Sequence, residues 1–312
     1  LKGNRDIGSW TSKESSFLLN NLLFVAITLG VFIGTLMPSL SELFRGEQMT
    51  VGSEFFNRMA TPIGLGVFLL IGVCTALSWT KTSTEKLLRN LLLPLIIAVV
   101  FLAIFTLMGI RGFIPLVSLA IAVFSIAITI QDYIRGVFVH SRQQSINFMT
   151  AIVSLTRKHK RRYGGYIVHL GVLALLLGLI GSSAFTLEKQ ATVRKNDIIR
   201  AGDYDLQFQG ITRERGKDRF VDSAHFSISK DSKIIGSISS EKHLFESFQP
   251  STEVGIRSTL KEDLYVMLGD YDIKAQMATV GVLVNPLVIW IWIGGLIMVF
   301  GTLLAIVPDK RN

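Results

Sequence analysis

Six apolar runs, each long enough to form a membrane-spanning helix, constrain this chain more than any other feature of its sequence. A helix needs about 20 predominantly apolar residues to cross the hydrocarbon core of a bilayer. We place the spans at residues 17–38, 61–79, 90–109, 113–134, 164–184 and 285–307. The composition agrees, because 49% of the 312 residues are hydrophobic and the mean hydropathy is +0.47. The sequence therefore predicts a polytopic α-helical membrane protein of about six helices.

A polar region of about 100 residues separates the fifth and sixth runs, and it has the pattern of β-strands. Apolar residues alternate with polar ones over residues 204–209, and Ala224, Phe226 and Ile228 repeat the same spacing. Residues 229–233 are typical of a hairpin turn, and residues 253–258, 263–268 and 275–284 are further candidate strands. We therefore expect a β-rich domain at 185–284, inserted between the last two helices.

The distribution of Lys and Arg predicts the orientation of the spans, because cytoplasmic loops carry an excess of these residues. The loop at 135–163 has no acidic residue between Arg135 and Arg162 and contains seven basic ones: Arg135, Arg142, Arg157, Lys158, Lys160, Arg161 and Arg162. Further basic residues of the same side are Lys81, Lys86, Arg89, Lys310 and Arg311. This places both chain ends in the cytoplasm and the β-rich domain outside it, in the periplasm if the source is a Gram-negative bacterium.

Three regions are therefore expected. Residues 1–184 form a five-helix membrane region with the basic cytoplasmic loop 135–163, which we expect to be partly helical and to touch anionic lipid headgroups. Residues 185–284 form the extracytoplasmic β-rich domain. Residues 285–312 form the last span and a short cytoplasmic tail.

Composition also excludes several function classes. The net charge of +9 is not matched by any nucleic-acid-binding motif, so loop charges explain it better and no nucleic-acid partner is expected. A single cysteine, Cys74, rules out an internal disulfide. There is no CxxC pair, paired metal-ligand spacing or P-loop. The chain begins with Leu1, and we expect it to be the C-terminal piece of something longer.

His169 is the residue that most needs an explanation, because it lies inside the fifth apolar run. Ionisable side chains in spans are rare and usually face the bundle interior or a functional cavity. A buried neutral imidazole can bind a metal or haem iron, relay a proton, or hydrogen-bond a neighbouring helix. The sequence alone leaves a ligand or relay role and an interhelical hydrogen bond both open.

Glycines predict how the His169 helix packs. Gly164, Gly171 and Gly178 recur every seven residues, with Gly181 after them, and such a seam of small residues suits close contact with a neighbouring helix. His169 is two residues from Gly171, so it lies about 200° away around the helix. Gly165 is one turn before His169 and predicts open space beside the imidazole, which a flat cofactor could use.

The remaining polar residues have ordinary interpretations. His140, His159, His225 and His243 are expected to be surface or strand-face histidines. Asn20 and Asn21 are expected to hydrogen-bond between helices. Trp290 and Trp292 fit an interfacial aromatic belt, and Pro286 fits the first turn of the last span.

Several stretches taken together resemble the C-terminal half of the CcmF family, the haem lyase subunits of cytochrome c maturation. They are SKESSFLLNN at 12–21, RYGGYIVHLG at 162–171, PSTEV at 250–254 with DLYV at 263–266, and NPLVIWIWIGG at 285–295. They occur in the order of the family and cover nearly the whole chain. No one of them would be sufficient alone.

The resemblance implies a haem lyase that attaches haem to the CxxCH motif of an apocytochrome c, in the inner membrane. It implies a membrane b-type haem with His169 as one axial ligand of the iron. The implied partners are the N-terminal half of CcmF, the haem chaperone CcmE, apocytochrome c and thiol-handling subunits such as CcmH. The family's tryptophan-rich WWD segment and its other haem-binding histidines are not found in this sequence, so enzymatic activity is expected only together with the N-terminal half.

Two other functions remain open. The chain could be a non-catalytic scaffold that docks partners of the same assembly, with His169 only bracing a helix. A haem transporter is the third reading, and it is weakened because the spans show no internal repeat and no pair of broken helices.

Overall fold

The computed structural model describes residues 12–77, 83–216, 218–245 and 249–308, without the side chains of Thr84 and Lys86. Three of the basic residues used above to predict orientation, Lys81, Lys310 and Arg311, lie outside the described residues, as does the end of the second predicted span. The chain divides into two compact units, of which one comprises Ala174–Ile293 and the other the remaining residues.

Seven helices form in the described part of the chain: α1 (Lys13–Arg45), α2 (Ser53–Ala76), α3 (Thr84–Leu107), α4 (Phe113–Gln144), α5 (Phe148–Lys158), α6 (Lys160–Ala184) and α7 (Ile289–Ile306). All of them except α5 are long and apolar enough to cross a membrane. The prediction of six spans is therefore confirmed.

Local capping explains where several of these helices begin and end. Ser12 is in extended conformation before α1, and its side-chain oxygen accepts a hydrogen bond from the backbone N–H of Ser15. Gly46 ends α1 in the left-handed conformation that glycine adopts without steric cost. Asn147 caps α5 in the same way as Ser12 caps α1, by accepting a bond from the N–H of Thr150.

The basic loop at 135–163 is more helical than the sequence indicates. It is made of the end of α4, the whole of α5 and the first residues of α6. Hydropathy indicates only the part of a helix that can lie in lipid. The backbone hydrogen bonds of α4 continue beyond that part and end at Ser145, which is in the left-handed conformation. Five apolar side chains hold these helix ends together in one core: Val137, Ala151, Leu155, Tyr163 and Tyr166.

The β-rich domain between α6 and α7 is confirmed as two antiparallel sheets packed as a sandwich. One sheet has the order β1 (Leu187–Arg194), β9 (Met277–Pro286), β8 (Glu262–Asp272) and β7 (Gly255–Ser258). The other has the order β2 (Ile198–Ala201), β3 (Tyr204–Arg215), β4 (Arg219–Lys230), β5 (Lys233–Phe245) and β6 (Ser251–Glu253). The core includes Leu206 and Phe208 of β3, Ala224, Phe226 and Ile228 of β4, and Val280 and Val282 of β9.

Two local predictions differ from the structure. Pro286 does not begin the last helix: it ends β9, Leu287 has a φ of 61°, and α7 begins at Ile289. The N–H of Leu287 instead donates to the carbonyl of Lys261, which fixes the turn between strand and helix. Strands β1 and β2 were not predicted, because most side chains of β1 are exposed and β2 has only four residues.

Candidate functional site

His169 lies in the middle of α6, between apolar residues in the sequence, and its side chain is only partly exposed. Its Nδ1 atom is buried and has no hydrogen-bond partner among the described residues. A buried polar atom without a partner costs free energy, so such atoms in native proteins require an explanation. An interhelical hydrogen bond at Nδ1, one of the two interpretations of the sequence, is therefore not formed within the described part of the chain.

A small cavity lies against His169, with a volume of about 130 Å³. Its lining comes from three helices: Ser16, Phe17 and Asn20 of α1, Leu70, Ile71 and Cys74 of α2, and His169 of α6. At roughly 30 Å³ per molecule, this volume corresponds to about four waters. It is smaller than the roughly 300–1,000 Å³ of pockets that enclose organic ligands.

The glycine seam of α6 packs closely against another helix, as the seven-residue spacing predicted, and that helix is α7. A Cβ atom added at Gly164 would lie 2.8 Å from the carbonyl oxygen of Gly301, and one added at Gly171 would lie 2.7 Å from that of Gly294. Further along the seam, a Cβ atom added at Gly178 would lie 2.8 Å from the backbone nitrogen of Ile291. The backbones of the two helices therefore approach so closely that only glycine fits, and this contact fixes the rotation of α6 about its axis.

Gly165 differs from the seam glycines, because a Cβ added there would meet no atom within 4 Å. Residues four apart on a helix share a face, so this open space lies on the His169 side of α6. The open flank predicted from the sequence is therefore present next to the imidazole.

An ion-paired cluster fixes α6 to α4 one to two turns before His169. The hydroxyl of Tyr166 donates to Asp132 Oδ2, and Arg162 Nη2 lies 3.2 Å from the same oxygen. Arg162 Nε also donates to the Tyr166 hydroxyl at 3.2 Å. The sequence analysis missed this cluster, although Asp132 is an acidic residue within a span-forming helix and such residues are usually functional or paired.

The other histidines are engaged in ordinary contacts. Ring nitrogens of His140, His225 and His243 lie 3.0, 2.9 and 3.1 Å from Ser154 Oγ, Thr212 Oγ1 and Glu241 Oε2, respectively. His159 is exposed at the C-terminal cap of α5. Among the described residues, no three His, Cys, Asp or Glu side chains are arranged to hold a metal ion.

A buried carboxylate in the β-rich domain was also missed. Asp222 is fully buried and receives two hydrogen bonds from Arg213, at 2.6 and 2.7 Å, and one from the Tyr271 hydroxyl. The bonds from Arg213 lower the pKa of Asp222. Burial, together with the bond to Asp222, raises the pKa of Tyr271 to about 12. Because all of these groups satisfy one another, the cluster is well explained as structural.

These observations define how far the chain fits a haem group. His169 offers one imidazole, the ligand type that haem iron accepts, and Gly165 leaves room on the same face. No second histidine with an unengaged ring lies near it among the described residues, and the cavity of about 130 Å³ does not enclose a macrocycle. The described residues therefore offer one imidazole that could ligate a haem iron and do not supply the rest of a haem site.

Comparison with known proteins identifies the relatives of this chain. Residues 184–286 match a family model described as the CcmF C-terminal beta-sandwich. The cytochrome c-type biogenesis protein CcmF of Pseudomonas aeruginosa is 30% identical over 302 residues, which are 96% of this chain and 44% of the relative. The chain is homologous to CcmF.

Other CcmF-type proteins agree with this homology. CcmF of Haemophilus influenzae is 29% identical over 99% of this chain and 46% of its own length, and CycK of Rhizobium meliloti is 27% identical over 96% and 44%. A solved structure named Cytochrome c Heme Lyase CcmF has the same fold, with a TM-score of 0.75 and 24% identity over 96% of this chain and 46% of that one. The chain thus spans less than half the length of the CcmF proteins that it matches.

Proposed function

We propose that this chain acts in cytochrome c-type biogenesis, as a part of a membrane haem lyase that attaches haem to the CxxCH motif of apocytochrome c. Homology to CcmF over 96% of the chain supports the pathway. The chain corresponds to about 44% of that relative, so the proposal assigns it only a share of the reaction.

The proposed share is to supply His169 as one axial ligand of a transmembrane b-type haem. The observation that carries this assignment is the buried Nδ1 of His169, which has no hydrogen-bond partner among the described residues although the side chain lies in an apolar span. When bound, a b-type haem supplies one-electron redox chemistry. The second ligand of the iron comes from outside this chain, in the N-terminal half of CcmF.

The residues around His169 have positioning roles in this proposal. Close contact between the Gly171 region of α6 and α7 sets the direction of the imidazole. Tyr166 and Arg162, bonded to Asp132, hold α6 against α4 one and two turns before His169. Gly165 keeps the adjacent surface open for a flat group.

The proposal also covers location and partners. It places the six spans in the inner membrane, both chain ends in the cytoplasm and the β sandwich in the periplasm, with the domain limits 1–184, 185–284 and 285–312. The sandwich would dock the haem chaperone CcmE, apocytochrome c or thiol-handling subunits such as CcmH. The excess of arginine and lysine in 135–163 supports this orientation.

A second candidate function is a non-catalytic scaffold of the same assembly. It is favoured by the β sandwich, where the buried carboxylate of Asp222 is fully engaged by Arg213 and Tyr271. In this case His169 would have no contact with haem.

Optical spectra of His169→Ala distinguish the two candidates. The chain is purified together with the protein that supplies the remaining CcmF sequence, and the reduced-minus-oxidised difference spectrum is recorded. His159→Ala is the matched control, because His159 is exposed at the end of α5. We expect His169→Ala to lose most of the b-type haem signal and His159→Ala to keep it.

A full haem signal in His169→Ala would remove the ligand assignment. Normal cytochrome c attachment by the same variant would then favour the scaffold. Co-purification with the other subunit shows whether each variant still folds and assembles. A variant that co-purifies but lacks the haem signal has lost haem, whereas one that does not co-purify has a folding defect.

A further inference from the structure

A long apolar groove lies between α3 and α4, on a part of the molecule distant in sequence from the His169 site. The two helices pack together, and the groove between them has a volume of about 870 Å³. This is within the roughly 300–1,000 Å³ typical of sites for organic ligands. Its apolar lining comes from both helices and includes Leu93, Ile97 and Phe101 of α3 and Ile126, Ile130 and Phe138 of α4.

One end of the groove carries two positive charges. Arg135 and Arg142 both line it, and they are seven residues apart on α4, so they share a face at about 10.5 Å along the helix. Neither guanidinium forms an ion pair with a carboxylate among the described residues. Arg135 Nη1 instead donates to Asn90 Oδ1 of α3 at 2.8 Å, which holds its side chain across the groove.

A polar atom without a partner lies next to these arginines. Gln131, one turn before Arg135, lines the groove, and its Nε2 donates to the carbonyl oxygen of Asn90 at 3.0 Å. This bond fixes the amide, yet its Oε1 is buried and has no hydrogen-bond partner among the described residues. Gln131 and Arg135 thus both bond to Asn90, which fixes the polar end of the groove.

We propose that the groove between α3 and α4 binds an anionic phospholipid of the bilayer, in the leaflet on the side of the basic segment 135–163. Its acyl chains lie along Ile97, Phe101 and Ile130, and its phosphate lies between Arg135 and Arg142. Basic pockets between spanning helices are sites at which anionic headgroups bind.

The charges favour a lipid over another apolar helix as the occupant. A helix packed over the groove would bury Arg135 without a counter-charge, and an unpaired buried charge is costly. An anionic lipid neutralises the arginines at the polar end and offers hydrocarbon to the apolar remainder, where Phe101 and Ile130 are 43% and 41% exposed. One molecule thus matches both parts of the groove.

Lipid retention by the purified chain tests the proposal. The chain is extracted in mild detergent together with the proteins that co-purify with it, and is exposed to equal amounts of phosphatidylglycerol and phosphatidylcholine. Bound lipid is then counted by native mass spectrometry. We expect the unchanged chain to retain more phosphatidylglycerol than phosphatidylcholine. Arg135→Gln and Arg142→Gln should each reduce this preference about fivefold, because one arginine near an anionic headgroup contributes about that factor.

Two further variants separate a defined site from general charge. Arg157→Gln removes an exposed arginine of α5, outside the groove, and should leave retention unchanged. Ile97→Trp fills the apolar part and should release the lipid while both arginines remain. Equal retention of the two lipids, an Arg157→Gln effect as large as that of Arg142→Gln, or full retention by Ile97→Trp would each overturn the proposal. So would release of the lipid when the rest of the CcmF sequence is added, because a protein helix would then be the occupant.

Discussion

Replacing Gly171 by alanine tests the packing that sets the direction of His169. The added methyl group would lie 2.7 Å from the carbonyl oxygen of Gly294, 2.7 Å from Met298 Cγ and 2.8 Å from Met298 N. Two of these three atoms belong to the backbone of α7, which cannot move away as a flexible side chain does. Gly171→Ala must therefore push α7 away from α6.

The size of the effect follows from two opposing contributions. Adding a methyl group to a well-packed contact costs about 1–3 kcal/mol. Alanine also favours the helix over glycine by about 1 kcal/mol. We expect Gly171→Ala to lower the free energy of unfolding by about 1–2 kcal/mol, since the clash is with backbone.

Gly165→Ala is the matched control, because its methyl group would meet nothing within 4 Å on the same helix. It should unfold at the same denaturant concentration as the unchanged chain, or at a slightly higher one, through helix propensity alone.

Unfolding in mixed detergent micelles, followed by circular dichroism as the denaturing detergent increases, measures both variants. The expected order of stability is Gly165→Ala, then the unchanged chain, then Gly171→Ala. Equal midpoints for the two variants would mean that the glycine seam is not a close helix contact, and the account of how His169 is positioned would fail.

Three other predictions concern the β sandwich and the topology. Asp222→Asn should lower the free energy of unfolding by about 1–3 kcal/mol in chemical denaturation, because it weakens the bonds of a buried carboxylate with Arg213 and Tyr271. Asp205→Asn, which removes the surface ion pair with Arg200, should have a clearly smaller effect. The pKa of Asp222 is lowered in the folded state, so its contribution should be present above about pH 4 and be lost as the pH falls further. The pKa of Tyr271 is raised to about 12, so its contribution to stability should be present below about pH 10 and be lost as the pH rises from there toward 12. Thermal unfolding measured across both pH ranges tests these two statements, and a stability that does not change with pH would contradict them. The orientation can be tested by labelling single cysteines with a membrane-impermeant maleimide in a cysteine-free background. Ile234→Cys should be labelled in intact cells and Met149→Cys only after lysis, since both positions are over 70% exposed. The reverse pattern would contradict the proposed orientation.

Most of the fold could be predicted from the sequence, because the patterns that indicate helices and strands are local and periodic. The length of apolar runs predicted six spans, and alternation predicted β3 and β4, whose inward residues Phe208 and Phe226 are fully buried. The spacing of Gly164, Gly171 and Gly178 predicted a close helix contact, because glycine in a span has few other uses. Which helix it contacts could not be predicted, since that depends on the tertiary arrangement.

The features that were missed depend on pairing between distant residues. Asp132 and Tyr166 are 34 positions apart, and Asp222 and Tyr271 are 49 apart. Nothing local marks either pair, because hydrogen bonds between side chains leave no periodic trace in the sequence. Pro286 was misassigned for a related reason: a proline suits a helix start and a strand end equally well, and the bond from Leu287 to Lys261 decides between them.

The redox potential of His169→Met is the most direct test of the central proposal. Methionine keeps an iron ligand at this position but replaces imidazole by a thioether, and Met/His ligation raises the potential of a haem. We expect the variant, purified with the rest of the CcmF sequence, to retain haem at a clearly higher midpoint potential and with an altered ligand signature in its optical spectrum. An unchanged potential and spectrum would contradict the assignment of His169 as an axial ligand.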